Sequence, residues 1–460
     1  AKYFLKVLPK SVKKIAVLDR TKEPGALGEP LYQDIKTIFQ GAENAPLIVG
    51  GRYGLSSKDT TPAQIVAVYD NLDSAEPKNG FTIGIVDDLS FKSLPVKEEI
   101  SIVKPGTTEC KFYGLGSDGT VGANKNTIKI IGDHTPKYAQ GYFDYDSKKS
   151  GGYTCSHLRF GDFPIKAPYL VSTPVFVACH VPSYLSKYNV LEGIKQNGTL
   201  LLNSLWDEEE TLKRIPDNVR AIIAKKNISV YIINATKIAA EIGLGGRTNT
   251  ILQSAFFKIT GVIPYEDAVA FMKKAIVKSY GKKGENIVNM NYAAVDRGGE
   301  YTKLEIPEDW KNISAKFENP NRNRMAPTFV KNIADVVNAQ QGDKLPVSAF
   351  KDIADGTIPA GTAAYEKRGV AVMVPEWDET KCIQCNSCSY VCPHAAIRPF
   401  LMTEEEAAAA PASIKKQQGK AVLKDYKFTI QVSPADCTGC GNCVDVCMAK
   451  EKAIKMVPYD

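Results

Sequence analysis

A doubled cysteine motif near the end of the chain restricts its architecture more than any other feature. Eight of the eleven cysteines fall within the last 79 of 460 residues. They form two runs of identical spacing, Cys-x2-Cys-x2-Cys-x3-Cys: Cys382, Cys385, Cys388 and Cys392, then Cys437, Cys440, Cys443 and Cys447. Disulfide frameworks belong to small secreted domains. Cysteines confined to one tail of a long chain therefore favour metal ligation in a reducing compartment.

The spacing is typical of two 4Fe–4S clusters. Three thiolates at x2 intervals wrap one cluster, and the fourth cysteine of each run reaches the other cluster, because closing on its own cluster would strain the loop. The first cluster is thus predicted to be held by Cys382, Cys385, Cys388 and Cys447. The second is predicted to be held by Cys437, Cys440, Cys443 and Cys392. Zinc is the alternative, but a zinc site usually needs only two Cys-x2-Cys pairs.

Two clusters with crossed ligands lie close together and carry single electrons without breaking bonds. The tail therefore predicts a redox enzyme or electron carrier whose catalytic centre lies elsewhere. Small residues between the ligands leave backbone N–H groups free to bond the sulfurs, which stabilises the reduced cluster. The other three cysteines, Cys110, Cys155 and Cys179, stand in or beside apolar strands and are predicted to be buried, inert thiols.

A glycine-rich segment at residues 114–125 follows a predicted strand and opens a predicted helix. Its glycines permit a tight turn, and the first amides of the helix would face a phosphate, with Lys125 as counter-charge. Residues 114–119 formally match the G-x-G-x-x-G dinucleotide fingerprint, and Asp144 follows at about the required distance. The alternative is a strand–helix turn whose glycines serve packing only. The segment predicts a phosphate-bearing ligand without identifying it.

Charge and hydropathy exclude several function classes. The net charge of +7, from 58 basic and 51 acidic side chains, is scattered and lacks the basic stripe of a nucleic-acid-binding face. No apolar run reaches about 18 residues, so no membrane partner is expected. The first residues lack the apolar core of a signal peptide. They also lack an initiating Met, which favours a processing point or a piece of a longer chain.

Hydrophobic periodicity predicts mixed α/β structure for the rest of the chain. Residues 1–90 alternate strands and helices, which favours a parallel sheet covered by helices. Residues 91–300 continue in this style, with a predicted strand at SIVKPG and one charged helix from Asp207 to Lys226. Residues 301–375 read as a linker with a short helix at Phe329–Gln340. The segment EEEAAAAPASIKKQQGK between the cysteine runs is expected to be an exposed helix or loop.

Several catalytic motifs do not occur. A thiamine diphosphate site needs a GDG segment followed by paired asparagines, and the sequence contains neither; it also has no P-loop and no HExxH. The four histidines, His134, His157, His180 and His394, are scattered and are predicted to be structural or surface residues. No catalytic residue is assigned within this chain.

Six longer strings carry a family resemblance: DRTKEPGALGEPLY, GGRYGLSSKDTTP, FYGLGSDGTVGANK, QQGDKLPVSAF, YEKRGVAV and CIQCNSCSYVCPHAAI. They resemble pyruvate:ferredoxin oxidoreductase, which implies an α/β and α+β multidomain protein. Residues 1–90 would be part of a transketolase C-terminal-like domain, and 91–300 a CoA-associated α/β domain like the γ subunit of split 2-oxoacid oxidoreductases. Residues 301–345 would be a linker domain, and 346–460 a bacterial-type two-cluster ferredoxin domain.

This family converts pyruvate and CoA into acetyl-CoA and CO2 and passes two electrons to ferredoxin or flavodoxin. The resemblance makes this chain the middle of such an enzyme, a homodimer of the cytoplasm or an anaerobic organelle. Thiamine diphosphate, Mg2+ and a third 4Fe–4S cluster would belong to a domain after Asp460. By resemblance, CoA would be bound by Gly114, Gly116, Ser117, Gly119, Thr120, Asn124 and Lys125.

Two other functions remain open at this point. One is a stand-alone electron-transfer and nucleotide-binding subunit without chemistry of its own. The other is an NAD- or flavin-linked ferredoxin reductase that uses the glycine-rich segment. Dye reduction that depends on pyruvate and CoA separates the leading hypothesis from the first alternative, and saturable nicotinamide binding would favour the second.

Overall fold

The computed structural model describes residues 1–146, 148, 151–318 and 325–459. Part of the predicted linker, residues 319–324, lies outside the described residues, as does Asp460. The chain divides into two units. The first unit comprises Ala1–Thr107, Phe163–Leu170 and Glu318–Thr362; the second comprises Thr108–Asp162, Val171–Phe317 and Ala363–Asp460.

The described residues form α-helices and β-strands in a mixed order along the chain. The helices are α1 Lys2–Val7, α2 Pro30–Ile38, α3 Pro62–Asp73, α4 Thr120–His134, α5 Tyr184–Lys187, α6 Glu208–Arg214, α7 Asp217–Lys225, α8 Ala235–Ile242, α9 Asn249–Thr260, α10 Tyr265–Tyr280, α11 Glu285–Asp296, α12 Asp335–Asn338, α13 Ser387–Tyr390, α14 Glu404–Ala409 and α15 Asn442–Asp445. The strands are β1 Lys14–Asp19, β2 Leu47–Arg52, β3 Phe81–Thr82, β4 Thr108–Leu115, β5 Tyr138–Tyr145, β6 Tyr153–Gly161, β7 Phe176–Cys179, β8 Thr199–Asn203, β9 Ser229–Ile233, β10 Thr302–Lys303, β11 Met373–Trp377, β12 Ile397–Met402, β13 Gln417–Gln418, β14 Lys427–Val432 and β15 Ile454–Pro458.

The first unit contains a parallel sheet in the order β1-β2-β3, as the alternation of strands and helices predicts. Helix α3 begins with a capping box, in which the side chains of Thr61 and Gln64 each accept a bond from the other residue's backbone N–H. Residues 325–362 also belong to this unit. They contain a π-helical turn, Val330–Ala334, that continues into α12, so the predicted short helix at Phe329–Gln340 is confirmed.

The second unit is built on a seven-stranded mixed sheet in the order β10-β9-β8-β7-β4-β6-β5. Strands β4, β7, β8 and β9 run parallel, whereas β5, β6 and β10 are antiparallel to their neighbours. One face of the sheet packs against α4, α8, α9, α10 and α11, and the other face forms a second core with α5 and α7. The carboxyl ends of the four parallel strands therefore meet at one edge, where the glycine-rich segment follows β4.

Two local predictions, one in each unit, are wrong. SIVKPG forms no strand, because Ile102 is exposed and Pro105 has no N–H to give to a sheet. The charged helix from Asp207 to Lys226 is two helices, α6 and α7. Pro216 separates them, since the residue before a proline disfavours helical backbone, and Ile215 is accordingly extended.

One further prediction is confirmed. The segment EEEAAAAPASIKKQQGK between the cysteine runs begins with α14, whose side chains are exposed except for Ala407, and Pro411 follows shortly after the helix ends. Among the described residues, no helix combines the length and the apolar character needed to span a bilayer.

Candidate metal centres and a glycine-loop cavity

The two cysteine runs occupy equivalent loops, each between two strands. The first run follows β11 and precedes β12, and the second follows β14 and precedes β15. Strand β11 pairs with β15, and β12 pairs with β14, so each antiparallel pair joins a strand of one repeat to a strand of the other. This exchange brings the end of each run next to the start of the other.

The backbone of the two loops is the same. Gln384 and Gly439 both have positive φ, 63° and 72°, and so do Asn386 and Gly441, at 60° and 78°. These turns aim backbone N–H groups at the thiols: Gln384 N lies 3.4 Å from Cys382 Sγ, and Gly439 N lies 3.3 Å from Cys437 Sγ. The fourth cysteines also accept such bonds, Cys392 from Ala396 N at 3.2 Å and Cys447 from Ala453 N at 3.3 Å.

One cavity gathers cysteines from both runs. It is lined by Cys382, Cys385 and Cys388 of the first run and by Cys447 of the second. On the other side of the repeat, burial and then the charges of Cys440 and Cys392 raise the pKa of Cys437, which places Cys392 near the second run. The four cysteines around one cavity and the N–H donors to sulfur fit a 4Fe–4S cluster.

The two buried thiols of these loops, Cys388 and Cys443, are protonated in the absence of metal. Burial raises the pKa of Cys388 to about 11 and that of Cys443 to about 11. Cys385 differs, because a hydrogen bond from Ser387 lowers the pKa of its thiol. Metal binding at these loops must therefore release protons, since thiolates are the ligands. Within the described residues, no three His, Cys, Asp or Glu side chains form a site for a single metal ion.

The glycine-rich segment forms a tight loop between β4 and α4, as predicted. A Cβ at Gly114 would lie 2.5 Å from Thr120 Oγ1, and Gly119 has a φ of +91°, so glycine is required at both positions. Gly116 N donates to Gly152 O at 2.7 Å. Ser117 has a positive φ of 76°, which is uncommon for a residue with a side chain.

An internal carboxylate fills part of this loop. Asp118 accepts bonds from Leu115 N at 2.8 Å, from Thr120 N at 2.7 Å and from Thr120 Oγ1 at 2.8 Å. Thr120 Oγ1 also lies 2.7 Å from His180 Nδ1. Because the single hydroxyl proton goes to Asp118, His180 donates Nδ1–H to Thr120. Two amides that a phosphate would use are thus already bonded.

A cavity of about 440 Å³ opens beside the loop. Its lining residues are Leu115, Gly116, Ser117, Asp118, Gly119, Val121, Tyr145, Asp146, Lys148, Gly152, Tyr153 and Thr154. The ammonium of Lys148 is 3.2 Å from Asp146 Oδ2. Sequence reasoning missed Lys148, because it approaches the loop only through the pairing of β5 with β6.

The two remaining predicted loop residues lie on α4, outside the lining of this cavity. Lys125 is exposed, and its Nζ stands 5.3 Å from the centre of the Phe143 ring. Asn124 is buried, and its Nδ2 has no hydrogen-bond partner among the described residues.

The dinucleotide fingerprint does not have its usual surroundings. In that fold the acidic residue ends a parallel strand beside the first one. Here Asp144 lies in β5, which pairs antiparallel with β6 at the edge of the sheet, and its Cα partner is Cys155. The geometry disfavours nicotinamide binding at this loop.

The isolated cysteines and two of the histidines are buried. Burial raises the pKa of Cys155 to about 12 and that of Cys179 to about 12, and it raises the pKa of Cys110 further. The prediction of inert thiols is thus supported. Burial lowers the pKa of His157 to about 3 and that of His180 to about 4, so both are neutral near pH 7.

Comparison with known proteins finds matches to three separate parts of the chain. Residues 109–301 match the family described as pyruvate ferredoxin/flavodoxin oxidoreductase, and residues 381–450 match the 4Fe-4S dicluster domain. Residues 316–371 match a domain of unknown function. The pyruvate:ferredoxin oxidoreductase of Moorella thermoacetica is 55% identical over 463 residues, covering 100% of this chain. Over its whole length, the chain is therefore similar to part of the pyruvate:ferredoxin oxidoreductases.

The chain spans about two fifths of the length of these relatives. It covers 39% of the Moorella protein and 39% of the pyruvate-flavodoxin oxidoreductase of Enterobacter agglomerans, to which it is 52% identical. It also matches 24% of the pyruvate dehydrogenase (NADP+) of Cryptosporidium parvum, at 46% identity over 96% of this chain.

Solved structures with some likeness include two proteins. A pyruvate oxidoreductase subunit of Thermotoga maritima is 23% identical with a TM-score of 0.36, covering 44% of this chain and 99% of that one. The 2-oxoglutarate:ferredoxin oxidoreductase of Magnetococcus marinus is 14% identical with a TM-score of 0.34, covering 46% of this chain and 32% of that one.

Proposed function

We propose that this chain relays electrons and binds CoA within a pyruvate:ferredoxin oxidoreductase. The complete enzyme would convert pyruvate and CoA into acetyl-CoA and CO2, and two electrons would leave one at a time to ferredoxin or flavodoxin. The observation that carries the proposal is the cavity lined by three cysteines of the first run together with Cys447 of the second. That arrangement matches crossed ligation of two clusters, and the names of the relatives supply the reaction.

The residues of the two loops have definite roles in this proposal. Cys382, Cys385, Cys388 and Cys447 would hold one 4Fe–4S cluster, and Cys437, Cys440, Cys443 and Cys392 the other. Such clusters supply one-electron transfer. Backbone N–H groups such as those of Gln384 and Gly439 donate to the ligand sulfurs and so stabilise the extra negative charge of a reduced state.

The glycine-loop cavity is the proposed site for CoA. Its volume of about 440 Å³ suits part of such a ligand. Asp118 and Asp146 give its wall negative charge, so Lys148 is the cation that would have to meet a phosphate. The predicted contribution of Asn124 and Lys125 stays a proposal, because both side chains belong to α4 beyond the cavity lining.

Other parts of the activity belong to the proposal as well. Thiamine diphosphate, Mg2+ and a third cluster would be bound by polypeptide other than this chain, and the enzyme would be a homodimer. A pyruvate dehydrogenase named for NADP+ is 46% identical to this chain, but the antiparallel β5 argues against a nicotinamide site here.

Anaerobic reconstitution tests the core of the proposal. The purified chain should bind about eight iron and eight sulfide ions, and after reduction it should reduce added ferredoxin or flavodoxin. Full-length enzyme should reduce viologen only when both pyruvate and CoA are present. A chain that binds zinc, or carries no chromophore after reconstitution, contradicts the relay. If the chain binds both clusters but the full-length enzyme shows no pyruvate-dependent viologen reduction, a stand-alone electron-transfer subunit is the better function.

A further inference from the structure

The two cluster loops share a backbone but differ in the side chains that surround them. Trp377 is the last residue of β11 and stands five positions before Cys382. Val432 is the last residue of β14 and stands five positions before Cys437. Their places in the sheets also correspond, since Trp377 pairs with Ile454 and Val432 with Ile397. The repeat thus puts an indole beside one loop and an aliphatic side chain beside the other.

The indole of Trp377 is buried with an unused donor. Its residue is 5% exposed and packs edge-on against Phe428, with ring centroids 6.2 Å apart. Its Nε1 is buried and has no hydrogen-bond partner among the described residues. A buried indole N–H usually finds an acceptor, because losing its bond to water is costly. Trp377 also lines the cavity formed by Cys382, Cys385, Cys388 and Cys447.

We infer that Trp377 Nε1–H donates a hydrogen bond to a sulfur of the cluster held in that cavity. This inference rests on the proposed function, because it needs the cluster as acceptor. An N–H bond to a cluster sulfur stabilises the more negative, reduced state and raises the reduction potential. Val432 offers no donor to the second cluster. Trp377 therefore makes the first cluster the one that holds the electron in a singly reduced chain.

Asn386 adds to the same asymmetry. It lines the same cavity, and its buried Oδ1 has no partner among the described residues. Half a turn about χ2 exchanges this oxygen with the donor Nδ2. The equivalent residue of the second run is Gly441, which has the same left-handed backbone and no side chain. Asn386→Gly thus gives this position of the first loop the residue found at the equivalent position of the second, without straining the turn.

Nitrogen labelling tests the contact in the unmodified protein. The chain has three tryptophans, so growth with indole-15N tryptophan labels Trp206, Trp310 and Trp377. Pulsed EPR of the reduced, reconstituted chain should show 15N coupling from one cluster. The coupling should vanish in Trp377→Phe and persist in Trp206→Phe. A chain with about eight iron and two reduced-cluster signals but no 15N coupling overturns the inference and leaves the proposed relay intact.

The potentials give the second measurement. In the singly reduced Trp377→Phe chain, the ratio of molecules with the electron on the first cluster to those with it on the second should fall about tenfold. That fall corresponds to a reduction potential of the first cluster lower by about 59 mV, for a one-electron couple. Asn386→Gly should shift it in the same direction. Val432→Ile is the matched control at the equivalent strand position and should leave the reduction potentials of both clusters unchanged. Unchanged potentials in a Trp377→Phe chain that holds both clusters would also overturn the inference. If that variant lost the first cluster, the labelled parent protein would still decide.

Discussion

At the scale of single residues, the fourth cysteine of each run is the most informative. Cys447 lines the cavity of the first run, and Cys392 is close enough to Cys437 to affect its pKa. Each of these two cysteines therefore lies with the cysteines of the other run, although its own run is nearer in sequence. That disagreement makes the crossed assignment testable without knowing which spectrum belongs to which cluster.

Paired cysteine variants provide that test. Cys447→Ser should remove or alter the same EPR signal as Cys388→Ser, because both residues would bind the first cluster. Cys392→Ser should alter the same signal as Cys443→Ser. The measurement is EPR of the reduced variants alongside iron analysis. If Cys392→Ser and Cys388→Ser instead share one altered spectrum, each run binds its own cluster and the crossed assignment fails.

Two buried histidines predict that acid lowers the stability of the α/β body, which is the seven-stranded sheet with the helices packed on it. Burial lowers the pKa of His157 to about 3 and of His180 to about 4, whereas unfolded histidine titrates near 6.5. Both pKa values are lowered, so the unfolded chain binds more protons and stability falls as the pH drops below about 6.5. At pH 5.5 each histidine should cost about 1.4 kcal/mol relative to pH 8.

Urea denaturation of the body at pH 7.5, 6.5 and 5.5 measures this loss. His157→Gln should flatten the pH dependence by about half of the combined effect, since one of two titrating groups is gone. His134→Gln is the control, because His134 is exposed and its ring stacks on Phe271. Parallel pH profiles for His157→Gln and the parent chain would contradict the assignment.

At the scale of elements, the loop between β4 and α4 supplies hydrogen-bond acceptors for its own backbone N–H groups. Asp118 accepts from the first backbone N–H of α4, that of Thr120, and shares the Thr120 hydroxyl with buried His180. A negative charge at a helix N-terminus stabilises the helix, but it places a carboxylate where an anion would otherwise bind. The cation that offsets this charge comes from a different element, the segment after β5 that carries Lys148.

Two lysine variants separate the sequence-based assignment from the one based on geometry. If CoA binds in the cavity, Lys148→Ala should weaken its affinity by about 1–3 kcal/mol through loss of a charge-assisted bond. Lys125→Ala, on the outer face of α4, should change affinity less. Calorimetry with CoA on the reconstituted chain provides both values. The reverse order would return the phosphate to Lys125, and two unchanged affinities would remove CoA from this loop.

What the sequence could predict depends on the range of the interaction. The cysteine spacing and the strand–glycine–helix turn are local patterns, and both led to the correct elements. The division between α6 and α7 was also predictable from the sequence, because Pro216 marks the break. The antiparallel edge strand β5, the approach of Lys148 and the pairing of β11 with β15 follow from long-range contacts. Periodicity carries no information on those pairings.

At the scale of the whole second unit, stability is distributed unevenly. Among the described residues, the two cores of the seven-stranded sheet contain 24 and 22 buried residues, whereas the core around the cysteine loops contains seven. Two of those seven are the predicted ligands Cys388 and Cys443. A core this small does not offset the entropy of ordering about 90 residues by itself, so the bound clusters would have to contribute much of the stability.

Removal of iron should therefore unfold one part of this unit and leave the other. After chelation under anaerobic conditions, backbone amides of β11, β12, β14 and β15 should lose hydrogen-exchange protection, while those of β4, β7 and β8 keep it. The ferredoxin-like region should also become the first site of limited proteolysis, and reconstitution with iron and sulfide should reverse both changes. Cys443→Ser should give an intermediate pattern, because one cluster remains. If the seven-stranded sheet loses protection in parallel, the two parts unfold as a single cooperative unit, and the clusters stabilise the body as well as their own loops.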